Sequence, residues 1–414
     1  MLIQITLFLL VGILAGTITG LIPGIHINLI GIFLVSLSAL PPNSAIWGTL
    51  SSALCQINPI YFVVFIVSMA ITHTFIDFIP SVFLGCPDTD TELSVLPGHE
   101  LLKQGLGYEA IILTCYGSLA AIFILILISF PSVLIISKTY NLIKTFIPYF
   151  LIIISILLIS LEKKKFTALF VFLLAGILGT IILNPQGILG KSLELNQPLL
   201  PLLTGLFGSS MLLMSIKNKI QIPEQKITKP RTKLFKPILG ALISSPLCSF
   251  LPGLGSGQAA IIGNIISRTN KKGFLVLLGA TNTLVMGFSF ISLYVISKTR
   301  TGAAVAIQEI IGNPSWQILI LILAIAFISG IIAFFLTIFL AKFFSQKLEK
   351  VNYTILSTIT LIFLGIIVFL ISGFLGLAVL TASTFTGIYC ISLGVKRTNM
   401  MGCLLLPTII LYLI

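Results

Sequence analysis

GLIPGIHINLIG, residues 20–31, and SFLPGLGSGQAA, residues 249–260, are the two stretches on which the fold turns. Each sets a Pro-Gly pair, Pro23-Gly24 and Pro252-Gly253, inside a long apolar run. Proline lacks the backbone donor a helix needs and glycine weakens it further, so a helix entering either stretch breaks there. The broken runs, 2–40 and 237–267, are apolar on both sides of the break. The dipeptide alone decides little, because it occurs again at Pro97-Gly98. The matched setting carries the weight: an apolar helix before, an apolar half-helix after, and five long apolar runs following each.

Those runs lie near residues 57–84, 108–130, 145–161, 166–184 and 199–215 after the first break, and 273–297, 316–343, 353–371, 374–394 and 398–414 after the second. About 20 apolar residues let a helix cross the hydrocarbon core, where every backbone group must be hydrogen-bonded. Composition agrees: 57% of the 414 residues are hydrophobic and 8% are charged, with a mean hydropathy of +1.16, whereas soluble domains carry about a quarter charged residues. The longest polar run, from Lys217 to Lys236, holds 20 residues, too few for a soluble catalytic domain. The chain therefore reads as an all-α polytopic membrane protein, multi-pass in the cell membrane. Its first residues, MLIQITLFLL, lack the basic start of a cleaved signal and are expected to belong to the fold.

The net charge is +13, but the Lys and Arg residues fall in short clusters between apolar runs. That is not the basic, aromatic-interleaved face of a nucleic-acid binder, so no nucleic-acid partner is expected. If both broken stretches return to the side they entered from, Lys163–Lys165, Lys217–Lys236, Arg268–Lys272, Lys342–Lys350 and Lys396-Arg397 all share one side, as the positive-inside rule requires. A crossing at 237–267 would split them. Each half is then a re-entrant hairpin plus five crossings, and the odd number makes the second half enter from the opposite face. The expectation is two inverted repeats, 1–216 and 237–414, joined by a basic cytoplasmic linker, 217–236.

Broken backbone at membrane depth is tolerated only where protein or a watery cavity satisfies it. The half-helix after each break begins with free N–H groups and a positive dipole end, which favours an anion without burying a lysine. In the second hairpin Gly253, Gly255 and Gly257 let a ligand approach the backbone, and Ser256 and Gln258 offer donors; in the first, His26 and Asn28 take that place. The plainer alternative is that these glycines serve close helix packing. Arg300 is a further anion-binding candidate at the outer mouth, or a headgroup anchor.

Charges that persist within spans are candidates for function. Asp77, in THTFIDFIP, fits a coupling-ion site for Na⁺ or H⁺, or a helix cap; Asn282 and Thr283, in GATNTLVMG, could add oxygens or simply bond between helices. His73 more ordinarily packs. The acids of residues 85–105, Asp88, Asp90, Glu92 and Glu100, suit a helix cap, with a cytoplasmic gate as the sharper reading. The six cysteines show no CxxC or CxxH spacing, so no metal site, disulfide framework or resident cofactor is expected.

Three motif groups, Pro23-Gly24 with Pro252, Gly253 and Gly255, the segment Gly85–Glu109 with its GLGYEA ending, and KTRTGAAVAI from Lys298, resemble the tripartite tricarboxylate transporter permease family, TctA. The resemblance spans the chain in layout. It implies an ion-coupled importer of carboxylate anions that works with a small membrane subunit and an extracytoplasmic binding protein. The leading expectation is a secondary active transporter holding a small organic anion between two half-helix N-termini. A carrier of polyprenyl phosphate or another phospholipid, with membrane lipid as ligand, suits the same dipoles. An intramembrane hydrolase is the remaining class, with His26, His73 and Asp77 as its candidates and neither HExxH nor GxSxG present.

Overall fold

The computed structural model describes residues 2–22, 58–84, 95–183, 198–218, 223–250, 256–299, 301–347 and 353–413. Among these the regular structure is entirely helical. The first half holds α1 (Leu2–Leu21), α2 (Pro59–Ile76), α3 (Phe78–Leu84), α4 (Val95–Lys103), α5 (Gly107–Ser160), α6 (Lys165–Leu183), α7 (Leu199–Leu203), a π-helical turn (Thr204–Ser209) and α8 (Ser210–Asn218). The second half holds α9 (Phe235–Phe250), α10 (Ser256–Ser267), α11 (Lys271–Ile296), α12 (Gly302–Ile311), α13 (Trp316–Lys347), α14 (Tyr353–Ser392), a 3-10 turn (Arg397–Met401) and α15 (Gly402–Leu413).

Among the described residues seven helices are long and apolar enough to cross a membrane. The runs expected at 145–161, 199–215 and 398–414 form shorter apolar helices, Pro148–Ser160, Leu199–Met214 and Arg397–Leu413. The runs 353–371 and 374–394 are the two limbs of α14, divided at Gly373, whose φ of 63° and ψ of −160° suit glycine alone. Two spans form the centre. Pro59–Phe83, which is α2 with α3, and Lys271–Ile296, which is α11, are buried over 89% and 94% of their apolar length, against 28% to 44% for the other candidate spans. Helices apolar all round are buried ones, and the remaining spans turn one side to lipid.

Helix directions follow from paired contacts. α1 and α2 run parallel: Tyr61 donates to Gln4 at 2.6 Å near one end, and Gly20 lies against Ile76 near the other. α9 and α11 also run parallel, with Pro237 beside Gly273 and the Ser249 hydroxyl 3.5 Å from the Val285 carbonyl. α9 and α10 are antiparallel, Gly240 facing Gly263, so this pair returns to the face it left. α2 and α11 are antiparallel, because Val82 at the end of α3 packs on Gly98 of α4, and Glu100 of α4 pairs at 2.5 Å with Lys271 at the start of α11. It follows that α1 and α9 run in opposite directions, each ending beside the middle of a central helix. α5 lies along α11, and α12 and α13 pack on α2; ring contacts Tyr116–Phe334, Phe123–Phe327 and Phe130–Trp316 set α13 antiparallel to α5.

Small residues make these approaches possible. Gly12, Gly16 and Gly20 form one stripe of α1 on α2; a Cβ at Gly16 would fall 2.9 Å from Thr72 Cβ, and one at Gly20 would fall 2.9 Å from Ile76 Cβ. The α5–α11 contact uses Gly117 against Val276 and Gly279 against Thr114 in the same way, and Ser118 donates to the Gly279 carbonyl at 3.0 Å.

Candidate functional site

A buried polar cluster draws its residues from three helices. α2 breaks at Asp77 because Pro80 has no N–H to offer the Ile76 carbonyl, so the helix resumes only at Phe78. The break leaves Asp77 as the cap between two helices, its N–H on the His73 carbonyl at 3.0 Å and its own carbonyl accepting from Ser81 Oγ at 2.7 Å. Its carboxylate turns to α11, where Asn282 Nδ2 donates to Asp77 Oδ2 at 2.8 Å and approaches the Thr74 carbonyl at 3.4 Å. One residue on, Thr283 meets Thr74, hydroxyl to hydroxyl, at 3.3 Å. The Thr74 proton is already given to the Ile71 carbonyl at 2.8 Å, which makes Thr283 the donor.

α1 contributes Thr19, whose Oγ1 lies 3.0 Å from His73 Nδ1. The same Thr19 hydroxyl lies 3.1 Å from the Gly16 carbonyl. Thr72 Oγ1 is buried with no hydrogen-bond partner among the described residues. Thr19, Thr72, His73, Thr74, Asp77, Asn282 and Thr283 are each no more than 3% exposed. A buried carboxylate costs several kcal/mol unless it is compensated, and a hydrogen bond to a charged group contributes about 1.5–3 kcal/mol. The cluster can hold a proton or a small cation.

Of the residues singled out from sequence, Asp77, Asn282 and Thr283 are brought together here although 205 residues separate the first two. Ser256 and Gly257, both buried, open α10, and Gln258 lies in its first turn. Ala259, next along α10, shares an apolar cluster with Val285 of α11 and Leu151 of α5, so the start of α10 sits beside the same stretch of α11 that carries Thr283. Pro23, Gly24, His26, Asn28, Pro252, Gly253, Gly255 and Arg300 lie outside the described residues. Thr19 was missed; its signal is the threonine between Gly16 and Gly20 in the glycine stripe. Also missed was a short repeat, Thr72-His73-Thr74 and Thr281-Asn282-Thr283, visible when the two central helices are aligned.

A second polar assembly closes one end of the central pair. Lys272 Nζ pairs with Glu109 Oε1 at 2.6 Å, and Thr228 of the linker donates to Glu109 Oε2 at 3.2 Å. Gln225 accepts from the Gly107 N–H at 2.8 Å and donates to the Leu102 and Pro223 carbonyls at 3.1 and 2.6 Å, while Lys226 N–H bonds the Gly105 carbonyl at 2.7 Å. The linker is thereby docked on the α4–α5 turn beside the start of α11. Glu100, expected to cap a helix, is engaged by Lys271.

A family model described as Tripartite tricarboxylate transporter TctA family matches residues 6–402. An uncharacterized protein of Methanocaldococcus jannaschii is 33% identical over 422 residues, which cover 98% of each chain. No solved structure matches.

Proposed function

The chain belongs to the tripartite tricarboxylate transporter TctA family, and from that membership we propose that it is a secondary active permease moving an organic carboxylate anion by alternating access. TctA is a transporter family and not an enzyme family, which removes the hydrolase reading, and the seven long apolar helices agree with a multi-pass membrane protein. The finer reading has the anion held between two hairpin tips, by Pro23, Gly24, His26 and Asn28 on one side and Pro252, Gly253, Gly255, Ser256, Gly257 and Gln258 on the other, with Arg300 at the mouth.

One observation carries this reading: α1 and α9 run in opposite directions and end beside Ile76 and Val285, at the level where Thr74 meets Thr283. Half-helices starting from such tips would direct N–H groups and positive dipole ends at a shared anion. The exchange of packing partners supports the inverted repeat, since α1 lies on α2 as α9 lies on α11, and α13 lies on α2 as α5 lies on α11. Residues 1–216 and 237–414 are then the repeats and 217–236 their cytoplasmic linker. Coupling falls to Asp77, Asn282 and Thr283, with Na⁺ or H⁺ as the driving ion. A small membrane subunit and an extracytoplasmic binding protein are the partners a tripartite system implies.

The test is uptake of labelled citrate and of a panel of di- and tricarboxylates into proteoliposomes carrying imposed Na⁺ or H⁺ gradients. Saturable uptake of a carboxylate under one gradient is the expected result. No flux of any carboxylate under either gradient, with and without the partner subunits, sinks the proposal.

A further inference from the structure

We infer that the turn at Lys163–Lys165 and the turn at Gly394–Lys396 together form a site for the headgroup of an anionic phospholipid, whose acyl chains lie over Phe166, Phe170 and Tyr389. This lipid is a partner held on the lipid-facing surface and not cargo, and the site stands independently of what the permease carries.

The charge is gathered from two distant parts of the chain. Lys163 and Lys164 precede α6, Lys165 opens it, and all three are exposed. Lys396 follows α14 with 62% of its side chain exposed. Contacts hold the two turns side by side: the Lys396 N–H and Asn399 Nδ2 both reach Glu162 Oε1 at 3.3 Å, and Lys396 Nζ lies 3.8 Å from the same oxygen. Glu162 is only 9% exposed, so the acid of this cluster is turned inward while the lysines stay outside. Gly394, with a φ of 70°, makes the second turn tight. A Cβ there would lie 3.9 Å from Lys164 Nζ, so Lys164 reaches across to the second turn.

Below the lysines the surface is apolar. α6 is one of the candidate spans, and Phe166, Phe170, Leu173 and Ile177 are exposed along it, at the spacing of one helix face. Phe385 and Tyr389 are exposed on the neighbouring limb of α14, and the rings of Phe170 and Tyr389 meet edge to face at 6.4 Å. α6 thus runs away from the lysines while α14 runs toward them, and the two exposed faces join into one strip. Acyl chains cover such a strip in a bilayer, which puts the lysines at its end at headgroup level. Phe166, 90% exposed beside Lys165, sets an aromatic ring directly under the charges. Basic groups next to a span draw anionic lipid, whereas a zwitterionic headgroup would bring its own cation into the cluster. A free anion would use the lysines and leave the apolar strip without a role.

The test measures retention of a fluorescent phosphatidylglycerol by the full-length protein in detergent, and its displacement by unlabelled phosphatidylglycerol, phosphatidylcholine or inorganic phosphate. The expected result is displacement by phosphatidylglycerol and far less by the other two. The double variant Lys163→Gln/Lys164→Gln should weaken retention roughly 25-fold, about fivefold for each charge removed, and Phe166→Ser should weaken it too. Lys229→Gln/Lys233→Gln, which takes the same charge from the linker, should leave retention unchanged. Displacement by phosphatidylcholine as strong as by phosphatidylglycerol overturns the inference, because the contact is then unselective. Equal displacement by inorganic phosphate overturns it in favour of a free-anion site. Retention that survives the loss of Lys163 and Lys164, or that falls equally in the linker variant, overturns it as well and leaves this face to a protein partner. Should the double variant fail to fold, a photoactivatable phosphatidylglycerol on the wild-type chain decides: it should mark residues 161–170 or 385–396, and marking confined to other segments refutes the site. No carboxylate enters these assays, so a lack of carboxylate flux would remove the permease reading and leave the lipid site standing.

Discussion

Thr74 of α2 and Thr283 of α11 touch hydroxyl to hydroxyl at 3.3 Å, 209 residues apart, each as the last residue of a Thr-X-Thr triplet. The same offset takes Ile76 to Val285, and these are the residues on which the inner ends of α1 and α9 rest. A residue meeting its own counterpart is what a two-fold axis produces. The proposed inverted repeat requires contacts of this kind.

Asn282 should matter to stability as well as to function. Asn282→Ala removes the N–H given to Asp77 Oδ2, at a cost of about 1.5–3 kcal/mol. Asp77→Asn, which removes the charge while keeping the shape, should cost less. Thermal unfolding of the two variants in detergent checks the order, and equal losses would mean that the carboxylate is not charged in the folded protein.

Gly16 tests the α1 stripe. In Gly16→Val the new side chain meets Thr72 and the Met69 backbone, and overpacking of this kind costs about 1–3 kcal/mol. Gly365 of α14 has open space around it, so Gly365→Ala should be neutral or mildly stabilising through helix propensity. Yield and melting temperature of the two variants report the contrast.

Two lysine–glutamate pairs at the start of α11 should differ in strength. Lys271–Glu100 is exposed, at 72% and 39%, and such pairs contribute about 0.2–1 kcal/mol. Lys272–Glu109, with Glu109 nearly buried and Thr228 on its second oxygen, should show a larger coupling, about 1.5–3 kcal/mol. Double-mutant cycles measure both, and raising the salt concentration should weaken the first pair more than the second.

Gln225 holds the linker. Gln225→Ala loses three hydrogen bonds at once, so trypsin should cut at Lys226, Arg231 and Lys233 faster than in the wild type. Global melting should move less than the cleavage rate, because the helices beneath do not depend on the linker for their packing.

Exposed positions at the two ends of the central pair test the topology. Lys229→Cys, in the linker, and Ser315→Cys, ahead of α13, should react with a membrane-impermeant maleimide from opposite sides of the membrane, the unsubstituted chain serving as blank. Labelling of both from one side contradicts a crossing of the membrane by α11, whose start lies by the linker and whose end lies by Trp316.

The apolar runs were legible because lipid leaves the backbone little choice, and a long uncharged run has to satisfy its own N–H and C=O groups. Asp77 stood out for the same reason, as a charge where charge is costly. Asn282 stood out as a polar residue within a span, but its pairing with Asp77 did not, since 205 residues of chain separate the two and nothing local encodes that distance. Glu109 entered the sequence reading only as the end of a motif, and that it binds Lys272 and the linker at once depends on contacts far along the chain. Three of the apolar runs, Pro148–Ser160, Leu199–Met214 and Arg397–Leu413, form helices shorter than the seven long candidates, because hydropathy marks where a run is apolar and not where its helix starts and stops.

Amino-acid order alone was enough for helix, membrane, breakage at proline and glycine, and the side bias of the lysines, because each rests on interactions within a few residues or between one residue and its solvent. Which helices became central, which way they run, and which proton each hydroxyl gives away were settled by packing. Glycine stripes set how closely α1 and α5 approach α2 and α11, and the packing of α2 on α11 turns four separate polar residues, Asp77, Asn282, Thr74 and Thr283, into one connected site.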